Sequence, residues 1–174
     1  MKSKKKSYTI HKSKKSQSDK NLSAGDNLRR NLERTTYRVD SVKTLNGIEF
    51  ICDTRSTDLL STRDTFKYIE KPIVWISGKP LHERDYSLLE NYLTHKIKAI
   101  VVYGGPSEDM QQKLGSFIES FDSKITLADT VKAAYEVAKE GDAVVYSPSC
   151  AVKDDYLNYV DRGKDFLRII ETLN

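Results

Sequence analysis

Four short segments of this 174-residue chain bring together residue types suited to binding an anion. They are Cys52-Asp53-Thr54-Arg55-Ser56-Thr57-Asp58, Ser77-Gly78-Lys79-Pro80-Leu81-His82, Gly104-Gly105-Pro106-Ser107 and Ser147-Pro148-Ser149-Cys150-Ala151. The first sets a carboxylate, a guanidinium and several hydroxyls before a stretch of helical periodicity, and a helix N-terminus favours negative charge. The same residue types also cap helices, so Asp53, Ser56 and Thr57 read equally well as caps. Gly104-Gly105 follows an apolar run but fits neither G-x-G-x-x-G nor G-x-x-x-x-G-K-[ST], which leaves it a turn rather than a phosphate cradle. His82 has no serine or acid in a triad order, and Cys150 has no base beside it. These two read as a surface histidine and a small buried thiol.

Such segments do chemistry only if the fold gathers them. Between them the chain alternates short apolar runs with amphipathic stretches. Thr36 to Val42 and Ile48 to Cys52 flank Asn46-Gly47, a pair that favours a type I′ hairpin turn because both central residues take positive φ. Helical spacing follows over 56–69, with Ser56 or Thr57 as cap. Ile73-Val74-Trp75-Ile76 and Ala99 to Tyr103 are continuous apolar runs, as expected of strands covered on both faces. Helices are expected at 85–95 and 107–121, a weaker strand at Lys124-Ile125-Thr126-Leu127, and a helix at 129–139 closed by Gly141. Ala143-Val144-Val145-Tyr146 is the last strand, and a terminal helix includes Phe166-Leu167 and Ile169-Ile170. Alternation with short links predicts an α/β, Rossmann-like fold: a mostly parallel sheet with helices on both faces and an N-terminal antiparallel hairpin. In such a sheet ligands collect beyond the carboxyl ends of the strands, where all four segments fall.

Charge divides the chain unevenly. The formal net charge is +4, yet the first 20 residues hold eight lysines against one aspartate. The rest is therefore slightly acidic, with 21 basic and 24 acidic residues. Residues 1–27 are expected to be a basic, flexible tail and 28–174 a folded domain, packed over about 36–174. The tail offers a contact for RNA, DNA or an anionic lipid surface through residues 1–20, although no aromatic platform accompanies it. Nothing approaches the roughly 20 apolar residues of a membrane-spanning helix. Two cysteines form neither a disulfide framework nor a metal-ligand spacing, so a cytoplasmic, reducing compartment is expected.

The segments also carry a resemblance. Tyr37-Arg38-Val39, Gly47 through Asp58, Pro72-Ile73-Val74-Trp75-Ile76-Ser77-Gly78, Asp85-Tyr86-Ser87, Lys98-Ala99-Ile100-Val101, Gly141 through Ala151 and Asn158 through Phe166 resemble the C-terminal domain of the Mur ligases. They lie nearest its D-glutamate-adding branch, and the S-P-x-C-A and N-[FY]-x-x-R-G-x-x-F patterns are the most specific part. The resemblance implies one domain of a three-domain, ATP- and Mg²⁺-dependent ligase of peptidoglycan synthesis. The P-loop and UDP-sugar domains are not represented, so catalysis by this chain alone is not expected.

On the nucleotide side, the resemblance assigns Arg38 and Asp53. On the amino-acid side it assigns Arg55 in place of a lysine, Thr57 as the motif threonine, and Lys79 or His82 near the lysine that holds the D-glutamate carboxylate. Tyr159 stands for a phenylalanine there, Val152 for a serine, and Cys52 and Asp58 for two asparagines. Each hydrogen bond lost to a bound carboxylate costs about 1–3 kcal/mol. The expectation is a diverged, non-catalytic binding or scaffold module with an unidentified protein partner. The alternatives are a ligase subunit working with a separate ATPase domain, and a nucleic-acid-associated protein using its tail.

Overall fold

The computed structural model describes residues 39–152 and 155–174. The basic tail, the linker or helix expected at 21–35, and Arg38 lie outside the described residues. Strand β1 (Asp40–Leu45) turns through Asn46 and Gly47, at φ 50° and 75°, into β2 (Ile48–Cys52). This is the positive-φ pair expected of Asn-Gly. Helix α1 (Leu59–Lys67) leads to β3 (Ile73–Gly78), and a 3₁₀ turn at Ser87–Leu89 precedes α2 (Glu90–His95). Then come β4 (Ile97–Tyr103), α3 (Glu108–Leu114) with a 3₁₀ turn at Gly115–Phe117, and β5 (Ser120–Lys124). Helix α4 (Leu127–Val137), β6 (Ala143–Tyr146) and α5 (Tyr159–Glu171) complete the described chain.

The sheet has the order β1-β2-β6-β3-β4-β5, with only β1 antiparallel to its neighbour. Strand alternation sends Phe50, Val74, Ile76, Val101 and Val144 to one face, where α4 and α5 pack. Ile51, Trp75, Ile100, Val102 and Val145 go to the other, beneath α1, α2 and α3. This two-faced burial explains why the central strands read as unbroken apolar runs. The chain leaves β3 toward one face and β6 toward the other, so the carboxyl ends of these adjacent strands form the crevice where open sheets gather ligands.

Several local expectations are corrected. The cap of α1 is Asp58, not Ser56 or Thr57; its Oδ1 accepts from the Ser61 N–H at 2.7 Å. The fifth strand is Ser120–Lys124, ahead of the Lys124–Leu127 run. Ile125 is 78% exposed, and Thr126 caps α4 by accepting the Asp129 N–H at 3.1 Å. A cap signal outweighed two apolar residues. Helix α4 ends at Val137, and Gly141 (φ 93°) instead turns the chain toward β6, its N–H reaching the Gly47 carbonyl at 3.0 Å. The helix expected at 107–121 stops at Leu114, because the following residues form the 3₁₀ turn that admits β5.

Both cysteines are free and buried. Burial pushes the Cys52 thiol up to about 12, from an ordinary value of 9.0. A raised thiol pKa favours the neutral folded form, so this contribution is complete below about pH 9 and is lost as pH climbs toward 12. At pH 8 the native protein should leave Cys52 unmodified by a thiol-specific disulfide reagent, while denatured protein reacts at once. Peptide mapping of the labelled residue checks this, and rapid native labelling of Cys52 would contradict it.

Candidate functional site

At the end of β2 the chain enters a buried polar bracket. The Asp53 N–H donates to the Tyr146 carbonyl at 2.9 Å, extending the β2–β6 pairing by one residue. Its fully buried carboxylate accepts through Oδ2 from the Thr65 hydroxyl at 2.6 Å and the Ser147 hydroxyl at 2.8 Å. Because Ser147 gives its proton to Asp53, the 2.8 Å contact between Ser147 and Thr62 has Thr62 as donor. The Trp75 indole N–H donates to the Ser147 carbonyl at 2.7 Å. Asp53 therefore neither caps α1 nor projects into solvent; it ties the buried side of α1 to the loop after β6. Thr62 and Thr65, three residues apart on one helical face, were the available signal for this bracket, together with Ser147.

A second bracket, absent from the sequence-derived site, centres on Arg162 in the first turns of α5. It is 2% exposed, and its guanidinium donates to the Thr54 carbonyl at 2.6 Å and the Cys150 carbonyl at 3.3 Å. Thr54 returns a bond from its hydroxyl to the Tyr159 carbonyl at 2.9 Å. One side chain thus fastens the β2 and β6 loops to α5. Its nearness to Tyr146 partly opposes burial, which holds that phenol well above its ordinary range. The Tyr146 hydroxyl is buried without a hydrogen-bond partner among the described residues. Tyr146→Phe should therefore stabilise the domain by about 1 kcal/mol, the desolvation of an unsatisfied hydroxyl being removed. Chemical denaturation reads this directly, and a loss of stability would show that the hydroxyl is satisfied in solution.

Between β3 and β6 the crevice is filled by the chain itself. Gly78 donates its N–H to the Pro148 carbonyl at 2.8 Å, and Lys79 its own to the Tyr103 carbonyl at 2.8 Å. The Arg84 guanidinium reaches the carbonyl of Ser149, a residue held at φ 53°. The cavity left among Gly78, Lys79, Tyr103, Cys150, Tyr156 and Arg162 is about 10 Å³, the room of a single water. Tyr103 and Tyr156 close its outer side, donating to Asp155 at 2.6 Å and Asp165 at 2.7 Å. Burial first, then the Asp155 carboxylate, pushes the Tyr103 phenol up to about 12.

The remaining sequence-derived residues differ in exposure, and their segments are tied to the loop after β6 through the Ser149 N–H to Ser56 carbonyl bond and the Gly78 N–H to Pro148 carbonyl bond. Arg55 and Tyr159 do meet: the guanidinium carbon sits 5.2 Å from the ring centroid, a cation–π contact. Lys79 is half-buried at the crevice, whereas Thr57 and His82 are exposed. Val152 is half-buried and presents no hydroxyl. Of the two residues that the resemblance assigns to the nucleotide, Arg38 lies outside the described residues. The Asp53 carboxylate is enclosed behind Thr65 and Ser147, and no group of three His, Cys, Asp or Glu side chains assembles among the described residues.

Comparison with known proteins gives a consistent family signal. No protein-family model matches the chain. A UDP-N-acetylmuramoylalanine–D-glutamate ligase from Salinibacter ruber is 29% identical over 141 residues, covering 81% of this chain and 31% of that protein. The enzyme of the same name from Protochlamydia amoebophila is 31% identical over 141 residues, covering 81% of this chain and 32% of its own length. The chain thus spans about a third of these curated relatives. A crystal structure of a murein peptide ligase from Psychrobacter arcticus superimposes with a TM-score of 0.50 at 13% identity, over 80% of this chain and 31% of that one. That likeness concerns the fold alone. No helix among the described residues is long and apolar enough to cross a membrane.

Proposed function

We propose that this Mur ligase C-terminal-like domain, homologous to D-glutamate ligases over about a third of their length, serves as a non-catalytic binding or scaffold module related to peptidoglycan synthesis. The observation that carries the reading is the filled crevice. Gly78, Pro148, Ser149 and Cys150 pack against one another where an open parallel sheet leaves room for a ligand, and a cavity of about 10 Å³ remains. An amino acid or a nucleotide needs a site tens of times larger. The enclosed Asp53 carboxylate supports the same reading.

A second reading, a ligase subunit acting with a separate chain that supplies the ATPase domain, draws on the outward placement of Thr57 and His82. A partner could complete a site from outside with those residues. Calorimetric titration of the full chain with D-glutamate, and separately with ATP·Mg²⁺, tests both ligands into the millimolar range. The scaffold reading expects no saturable heat from either. Saturable D-glutamate binding that disappears in Thr57→Ala would overturn it in favour of the subunit reading.

A further inference from the structure

Away from the sheet edge, a groove of about 600 Å³ runs between the Glu83–Ser87 loop and the end of α3. Its floor is apolar: Leu93 and Leu114 are buried, and Phe117 stands 48% exposed at the wall. Leu93 and Phe117 also line a second hollow of about 330 Å³, reaching Pro72, Lys96 and Glu119. The two hollows therefore adjoin across a shared apolar wall. A concavity of this form suits an extended segment better than a compact ligand, because successive side chains of such a segment drop into separate hollows.

The charges of the first hollow are acidic in balance, three carboxylates against Arg84 and Lys113. Glu83, Asp85 and Glu90 line it, and Asp109 lies behind Lys113. The two cations present are already engaged. Arg84 is turned to the Ser149 carbonyl, while Lys113 pairs with Asp109 at 2.5 Å and donates to the Arg84 carbonyl at 3.0 Å. Glu83 and Glu90 are exposed and make no ion pair among the described residues. A separate observation concerns the inner wall. Tyr86 lines the groove while only 6% exposed; its hydroxyl, itself buried, has no hydrogen-bond partner among the described residues, and the same holds for Asp109 Oδ2 behind the lining. Carboxylate acceptors on the rim above an apolar floor are complementary to one kind of group, a cationic head on an aliphatic stem.

We propose that this groove is a docking surface for a basic, extended peptide segment of a partner protein, with an arginine or lysine side chain lying along Leu93 and Phe117 and its head between Glu83 and Glu90. Arg84, whose guanidinium turns to the Ser149 carbonyl, is the one lining residue shared with the candidate site at the sheet edge, and the inference does not use it. The occupant is identified by charge complementarity, which also sets its salt dependence.

The test uses the full chain and a fluorescein-labelled peptide of alternating arginine and leucine, five residues long, followed by anisotropy and by backbone amide shifts. Saturable binding is expected, with shifts confined to residues 83–93 and 113–118. The double charge reversal Glu83→Lys/Glu90→Lys should weaken it by about 10-fold or more, and Asp122→Lys on β5 by less than about 2-fold. Equal affinity for the Glu83→Lys/Glu90→Lys variant would overturn the proposal. So would shifts centred on the Asp155, Asp161 and Asp165 surface, or equal binding of a glutamine–leucine peptide of the same length.

Discussion

Replacing Arg162 with alanine should lower the unfolding free energy by about 3–4 kcal/mol, the range seen when one partner of a buried charged network is removed. The guanidinium is 2% exposed and bonds two main-chain carbonyls that no other donor reaches in the described residues, Thr54 at 2.6 Å and Cys150 at 3.3 Å. Hydrogen bonds from a charged donor contribute about 1.5–3 kcal/mol each, and truncation also opens a void between α5 and the sheet edge. One offset keeps the estimate from rising further. Arg162 Nε is itself buried without a partner, and no carboxylate pairs with the guanidinium among the described residues, so the wild-type side chain already bears an unrecovered desolvation cost. Denaturation followed through Trp75, the single tryptophan and fully buried, measures the loss. Arg162→Lys should recover less than half of it, since one ammonium cannot span two carbonyls in the fork geometry. A loss below about 1 kcal/mol for alanine would mean that the two loops hold their places without the bracket.

What the sequence made legible follows from how locally each feature is encoded. The central strands are written in contiguous apolar residues because both faces of the sheet are covered, and the hairpin is written in one dipeptide. Strand β5 is not legible in this way. Ser120-Phe121-Asp122-Ser123-Lys124 has a single large apolar residue, and it is a strand because Ala99–Tyr103 offers it an edge to pair with. The functional edge shows the same division. Asp53 stood out by type, but its role depends on Thr62, Thr65 and Ser147, the last of them 94 residues away. Such a partnership has no local signature, so the sequence left capping and anion binding as open readings and did not disclose the bonds to Thr65 and Ser147. Arg162 entered only as one letter of a pattern, because an arginine in an amphipathic helix ordinarily snorkels to solvent. Nothing in the periodicity of α5 distinguishes the one that turns inward.

The second large effect concerns the residue that lets the crevice close. A methyl group at position 78 would place its carbon 2.3 Å from Cys150 Sγ and 3.2 Å from the Pro148 carbonyl oxygen. Backbone φ is not the obstacle, since Gly78 belongs to regular β3; only the close approach requires glycine. The Cys150 thiol is buried and cannot simply swing into water. The loop must therefore move, stretching the Gly78-to-Pro148 bond at 2.8 Å and the already long Arg162-to-Cys150 bond. Gly78→Ala should cost about 2–4 kcal/mol, the upper part of the range for overpacking. The mechanism predicts a specific rescue. Cys150→Ala removes the sulfur that the new methyl meets, so the double variant should regain about 1–2 kcal/mol relative to the sum of the two single changes. Recovery remains incomplete because the 3.2 Å approach to the Pro148 oxygen is main chain and survives the second substitution. Additive losses in this double-mutant cycle would mean that the β3 and β6 ends do not pack this closely in solution. The filled crevice, and with it the principal support for a non-catalytic module, would then fall together.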